Sequence, residues 1–171
     1  MSDRLPRLAW GHININVTNL ERSIAFYDKL GFEVFIPGIP YLSLRADAPA
    51  TVEPEGTALA LGLPAGSLGR ACIMQLGDGF PKIDLTELAN KSQAKPLTNA
   101  DLGLVRLCLV SRNLVEDYAR LREQGVEFLS APQAGKDGLA DVAVCVDPDG
   151  TLIELLQVYL DKWASVIPDG Q

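Results

Sequence analysis

One histidine, one arginine and two carboxylates are the residues best placed to do chemistry: His12, Arg106, Asp84 and Glu154. Each interrupts an otherwise apolar strand-like run, and together they bring an imidazole and two carboxyl groups, which exchange protons, and a guanidinium, which carries a fixed positive charge. In the run GHININV, strict alternation puts His12, Asn14 and Asn16 on one face and Ile13, Ile15 and Val17 on the other. Ile83 and Leu85 flank Asp84, as Ile153 and Leu155 flank Glu154, so both carboxylates point away from the apolar side and into whatever the sheet encloses. The same alternation predicts that Asn14, Asn16, Thr86 and Cys108 line the pocket, while Glu87, three residues from Asp84, faces the other way. Other chemistries lack their motifs. With a single histidine and no Gly-x-Ser-x-Gly there is no hydrolase triad, and no Walker loop, dinucleotide fingerprint or paired-Cys zinc motif is present. Asp147-Pro148-Asp149-Gly150 reads as a hairpin turn, because the downstream oxygen spacing of a calcium loop is missing.

The elements that position these residues come in two copies. After the His12 strand, Thr18 stands as a helix N-cap with Glu21 closing a capping box, and Leu20, Ile24, Tyr27 and Leu30 form an apolar helical stripe. Gly31 ends the helix, and a strand over Phe32 to Phe35 follows. An offset of 94 residues repeats the unit, carrying His12 onto Arg106, Asn19 onto Asn113, Leu20 onto Leu114 and Gly31 onto Gly125. Each unit ends in a hairpin, the first with strands Ala71 to Leu76 and Lys82 to Leu88 around Gly77-Asp78-Gly79. These hairpins match at an offset of 70, which carries Asp84 onto Glu154, so the first unit is 24 residues longer. The excess lies in a Pro- and Gly-rich stretch with expected short strands around Tyr41 to Leu44 and Ala58 to Leu61 and an irregular loop from Ala46 to Gly56. The segment between Pro37 and Gly69 should supply part of the pocket wall. One domain is expected, built from module one at 8–88, a linker at 89–101, module two at 102–158 and a tail at 159–171 that forms a short helix carrying Trp163 onto the body or a neighbour and whose end frays.

Composition narrows the partners. The 171 residues are 47% hydrophobic and 22% charged, which fits a globular chain, with no apolar run long enough to span a bilayer. A net charge of −7 opposes nucleic-acid binding and attraction to anionic membranes, leaving a small molecule as the expected partner. The opening MSDRLPRLAW lacks the apolar core of a secretory signal, so a cytoplasmic location is expected. Cys72, Cys108 and Cys145, odd in number and far apart in expected strands, suit buried reduced thiols.

The segments GHININVTNLERSIAFYDKLGFEV, LGLPAGSLGRACIMQLGDGFPKIDLTEL, GLVRLCLVSRNLVEDYARLREQGVEFL and DPDGTLIELLQV together resemble the vicinal oxygen chelate superfamily, which includes glyoxalase I, extradiol dioxygenases and bleomycin-binding proteins. The resemblance implies an α+β fold: two tandem βαβββ modules whose curved mixed sheets form a cup with helices outside, in a homodimer. It further implies metal ligands on the first and last strand of each module, here His12, Asp84 and Glu154, with Arg106 at the fourth place. Arginine keeps its proton and cannot ligate, and Asp84 is a methylene shorter than the usual glutamate. Arg106 also stands where an extradiol dioxygenase needs its second histidine, which argues against that activity.

Three readings follow. In the favoured one the protein is a lyase or isomerase acting on an oxygen-bearing, partly hydrophobic substrate; one divalent Fe, Mn or Zn on His12, Asp84 and Glu154 assists, Glu154 and Arg106 are catalytic, and Arg106 clamps a carboxylate or an enediolate. In the second, Arg106 fills the metal position by donating to the carboxylates, and the protein is a metal-free binder of the drug-sequestering type. A purely structural or regulatory interaction module is the third option.

Overall fold

The computed structural model describes residues 8–90 and 95–163, and its chain divides into two compact units, Met1–Gln93 and Ala94–Gln171. In the first unit β1 (His12–Asn16) leads into α1 (Leu20–Lys29) and β2 (Glu33–Ile36). The short strands β3 (Gly38–Ile39), β4 (Leu44–Arg45) and β5 (Thr51–Val52) and the helix α2 (Glu55–Ala60) come next, then β6 (Leu68–Gln75) and β7 (Lys82–Leu88). The second unit runs β8 (Arg106–Val110), α3 (Leu114–Glu123), β9 (Glu127–Phe128), β10 (Gln133–Ala134), β11 (Ala140–Val146), β12 (Leu152–Val158) and α4 (Leu160–Trp163).

Both units build the same five-stranded mixed sheet. In the first, β1 lies parallel to β7, β7 antiparallel to β6, and both β2 and β5 pair with β6. In the second, β8 lies parallel to β12, β12 antiparallel to β11, and both β9 and β10 pair with β11. The helices cap alike. Asn19 accepts from the Arg22 N–H at 2.8 Å and Asn113 from the Glu116 N–H at 3.2 Å. The cap therefore falls one residue after the expected Thr18, whose hydroxyl instead accepts from the Arg22 guanidinium, while Glu21 pairs with Arg70. Each helix also receives a side chain from the last strand of its own unit. Glu87 accepts from the Leu20 N–H at 2.9 Å and Gln157 from the Leu114 N–H at 2.7 Å, so Glu87 does face the helix side.

The apolar faces pack on these helices. In the first unit Leu20, Phe26, Tyr27 and Phe32 are buried with Cys72, Met74, Ile83 and Leu85, and Tyr27 meets Phe26 and Phe32 edge-on at 5.3 and 5.8 Å between centroids. In the second unit Leu114, Leu121, Val126, Cys145, Ile153 and Leu155 are buried, and Tyr118 meets Phe128 at 4.8 Å. Gly31 and Gly125 both take positive φ at the helix ends, as their matched positions require.

The long insertion departs most from expectation. Tyr41 to Leu44 is a 3-10 turn (Pro40–Leu42) leading to β4, and Ala58 to Leu61 belongs to the end of α2, where a strand was expected. Ile39, Leu42 and Leu44 cluster with Ala71 and Ile73 on the face of β6 that β7 continues with Asp84 and Thr86, so the insertion covers that face. Arg70 fastens the insertion, its guanidinium donating to the carbonyls of Ala46 and Ala48 while pairing with Glu21. Cys72 and Cys145 are buried thiols as expected, but Cys108 is exposed, because no insertion covers the corresponding face of the shorter second unit. Trp163 is half-buried and donates from Nε1 to the Leu139 carbonyl at 2.9 Å, while the rest of the tail, 164–171, lies outside the described residues.

Candidate functional site

The pairing register brings the candidate residues together two by two. In the first unit His12 lies opposite Lys82 and Asn14 opposite Asp84, so Asp84 sits diagonally from His12 across the parallel ladder. The His12 Nε2 lies 3.4 Å from the Asp84 Oδ2. In the second unit Arg106 lies opposite Leu152 and Cys108 opposite Glu154, which gives Arg106 and Glu154 the same diagonal relation. The Arg106 Nε donates to the Glu154 carboxylate, its Nη1 donates to Asn99 Oδ1 at 3.1 Å, and the Cys108 Sγ lies 3.7 Å from the other Glu154 oxygen. His12 with Asp84 and Arg106 with Glu154 thus take equivalent places in the two ladders.

A cavity of about 200 Å³ opens on the covered face of the first unit. Its sheet side carries His12, Asn14, Asn16, Asp84 and Thr86, all five named by alternation along β1 and β7, together with Leu88. Thr86 donates to Asn14 Oδ1 at 2.7 Å, and Asn14 donates to Asn16 Oδ1 at 2.9 Å, a chain that fixes the polar floor. The opposite wall is the insertion, with Tyr41, Leu42, Glu53, Leu61 and Leu63. The sequence reading placed part of the wall in this segment without naming these residues. Glu53 lies between the two-residue strand β5 and Pro54, where no periodicity marks which way a side chain faces.

Glu53 is the unexpected member. It is 2% exposed and Asp84 is 1% exposed, and among the described residues neither Glu53 carboxylate oxygen, nor the Asp84 Oδ1, has a hydrogen-bond partner. Burial raises the Glu53 carboxyl above its ordinary range. Burial also raises Asp84, against a smaller lowering by His12. The Tyr41 hydroxyl is raised by its own burial and by the charges of Asp84 and Glu53, so it feels both carboxylates.

A divalent metal requires several converging oxygen, nitrogen or sulfur ligands. The first unit offers His12 and Asp84 as a close pair, while in the second Glu154 is engaged by a guanidinium that cannot ligate. Among the described residues no three His, Cys, Asp or Glu side chains form a group able to hold a metal ion. The donor set of neither unit fits a metal by itself.

Two mixed five-stranded sheets, each ordered first strand, last strand, third strand and each with a helix capped from its last strand, define a duplicated α+β architecture. Residues 9–155 match the family model described as Glyoxalase/Bleomycin resistance protein/Dioxygenase superfamily, and the chain belongs to that superfamily. Among solved structures, a glyoxalase family protein from Bacillus cereus is similar at 18% identity with a TM-score of 0.70, covering 92% of this chain and 99% of its own. A glyoxalase family protein from Enterococcus faecalis is similar at 24% identity with a TM-score of 0.56, covering 85% of this chain and 94% of its own. The trypanothione-dependent glyoxalase I of Leishmania major is similar at 21% identity with a TM-score of 0.56, covering 91% and 90%. These likenesses establish the fold, which matches the expected pairing of βαβββ modules. No curated protein matches the chain in sequence. Among the described residues no helix is long and apolar enough to cross a membrane.

Proposed function

We propose that this protein binds a small, partly hydrophobic molecule in the cavity of its first unit, without a resident metal. The observation that carries this reading is the Arg106–Glu154 ion pair. A guanidinium in the diagonal position supplies the counter-charge that a cation would otherwise bring to Glu154, and its fixed fork suits a carboxylate. The cavity adds apolar walls from Leu42, Leu61, Leu63 and Leu88 to a polar floor, the mixture that orients a small ligand. Three unpaired cysteines suit a cytoplasmic home, and a homodimer is the assembly proposed for it.

The second reading is a lyase or isomerase, favoured by the His12–Asp84 pair. A carboxyl held above its ordinary range, 3.4 Å from an imidazole, is suited to take or return a proton beside a bound carbonyl. Loss of turnover in His12→Ala with ligand binding intact would mark the enzyme.

Elemental analysis of protein purified without chelator tests the metal-free reading. The expected result is no stoichiometric Fe, Mn or Zn in the parent, and uptake of one equivalent by Arg106→His. One equivalent in the parent, lost in Glu154→Ala, would instead assign His12, Asp84 and Glu154 as ligands and overturn it.

A further inference from the structure

The two units treat their buried carboxylates differently. In the second, Arg106 is built in as the cation of Glu154, whose side chain keeps 14% of its surface exposed. In the first, the equivalent position is His12, whose side chain is 42% exposed, and the insertion adds a second carboxylate, Glu53, to the same cavity. Three carboxylate oxygens, both of Glu53 and one of Asp84, are left without partners among the described residues. Lys82 lies two residues from Asp84 on the same face of β7, yet its ammonium donates to Gln75 Oε1 at 2.8 Å and lies 4.9 and 5.0 Å from the ring centroids of Phe35 and Phe80. Arg70, the guanidinium anchoring the insertion, pairs with Glu21 and lies near Glu87 on the helix face.

Buried acceptors without donors are costly, so such a site is completed by whatever brings the donors. We propose that the cavity is a receptor for an organic cation, a small molecule whose protonated amine or amidine donates to Glu53 and Asp84 while its apolar body packs on Leu42, Leu61, Leu63 and Leu88. This rests on the reading of the cavity as a small-molecule site and names the charge of its ligand. A polyatomic cation suits the oxygens better than a metal ion, because an ammonium satisfies separated acceptors through its own hydrogens, whereas a metal needs a converging ligand group that the described residues do not form. The volume, about 200 Å³, is below the roughly 300–1,000 Å³ of drug-sized pockets and selects a ligand, or the end of one, with about the bulk of a substituted ring.

The test is a chemical-shift titration of the full chain, labelled with nitrogen-15, at pH 7 with benzylamine, benzyl alcohol and benzoate. These probes share an aromatic body and differ in charge. The expected result is saturable shifts at cavity residues with benzylamine, at least tenfold tighter than with benzyl alcohol, and none with benzoate. Glu53→Gln and Asp84→Asn, tested separately, are each expected to narrow the preference for benzylamine over benzyl alcohol at least threefold. Equal binding of benzylamine and benzyl alcohol, or a preference unchanged in both variants, would overturn the cation assignment while leaving the cavity a small-molecule site. In a separate titration with zinc chloride, cavity shifts from zinc with none from benzylamine would overturn it in favour of a metal. No cavity shifts from any probe would overturn the assignment together with the reading on which it rests. The comparison of probes on the parent chain stands even if a variant fails to fold.

Discussion

At the scale of single residues, the first unit concentrates its electrostatic cost in two side chains. Burial raises the Glu53 carboxyl above its ordinary range, so between the unfolded and folded values the folded chain holds a proton that the unfolded chain has released. In that window stability falls as pH rises, and the contribution present below the unfolded value is lost on passing the folded one. Glu53→Gln removes this dependence. The stability difference, variant minus parent, should therefore grow in the variant's favour as pH is raised from 4 to 7, measured by chemical denaturation at each pH. A difference that stays flat or runs the other way would show Glu53 to be ionised and compensated in the folded protein. The Arg106–Glu154 pair differs in that its cation is supplied within the chain, and the guanidinium stays half-exposed to water and salt.

At the scale of elements, the insertion decides what the first unit can hold. The hairpin of β3 and β4 brings Gly38 so close to its neighbour that a Cβ there would meet the Leu44 carbonyl oxygen at 2.6 Å. Gly38→Ala must push this hairpin apart, loosening Leu42 and Leu44 from Ala71. The expected cost is about 1–3 kcal/mol of stability, with ligand affinity falling and the second unit's spectrum unchanged. A variant as stable as the parent would mean that the hairpin adapts without strain.

The regular elements were legible because their signals are local and occur twice. Alternation fixed the faces of β1 and β7, the two offsets fixed the diagonal pairs, and glycines marked both helix ends. The insertion was legible only as excess length. Ala58 to Leu61 alternates small and large apolar residues as a short strand does, yet Ala and Leu are strong helix formers, and the helical turn that follows Pro54 wins, with the N–H groups of Thr57 and Ala58 both reaching the Pro54 carbonyl. The role of Glu53 was hidden for a related reason: its direction is set by the fold of the insertion rather than by any period in the chain. The helix cap was misplaced by one residue because Thr18 and Asn19 are both good caps, and the repeat, which carries Asn19 onto Asn113, held the better signal.

For the molecule as a whole, duplication followed by unequal elaboration gives one covered face and one open one, and the thiols record the difference. Burial pushes Cys72 and Cys145 up to about 12, while Cys108 is exposed although also raised, first by partial burial and then by Glu154. A thiolate reagent at pH 8 should therefore titrate one group in the folded protein and three after denaturation. Two or more groups in the folded state would mean that one of the sheets opens readily.

The side chains that cap the helices have a further effect. Glu87 and Gln157 lie three residues beyond Asp84 and Glu154 on their strands, so the capping side chain and the candidate-site carboxylate face opposite sides of each sheet. A slip of one residue in β7 would turn Asp84 into the aromatic packing around Tyr27 and at the same time withdraw the acceptor from the Leu20 N–H. Each error exposes the other, and the same holds for β12 and α3. The capping residue thus acts as a proofreader of strand alignment, and each half of the chain carries its own check on the placement of the group that matters most.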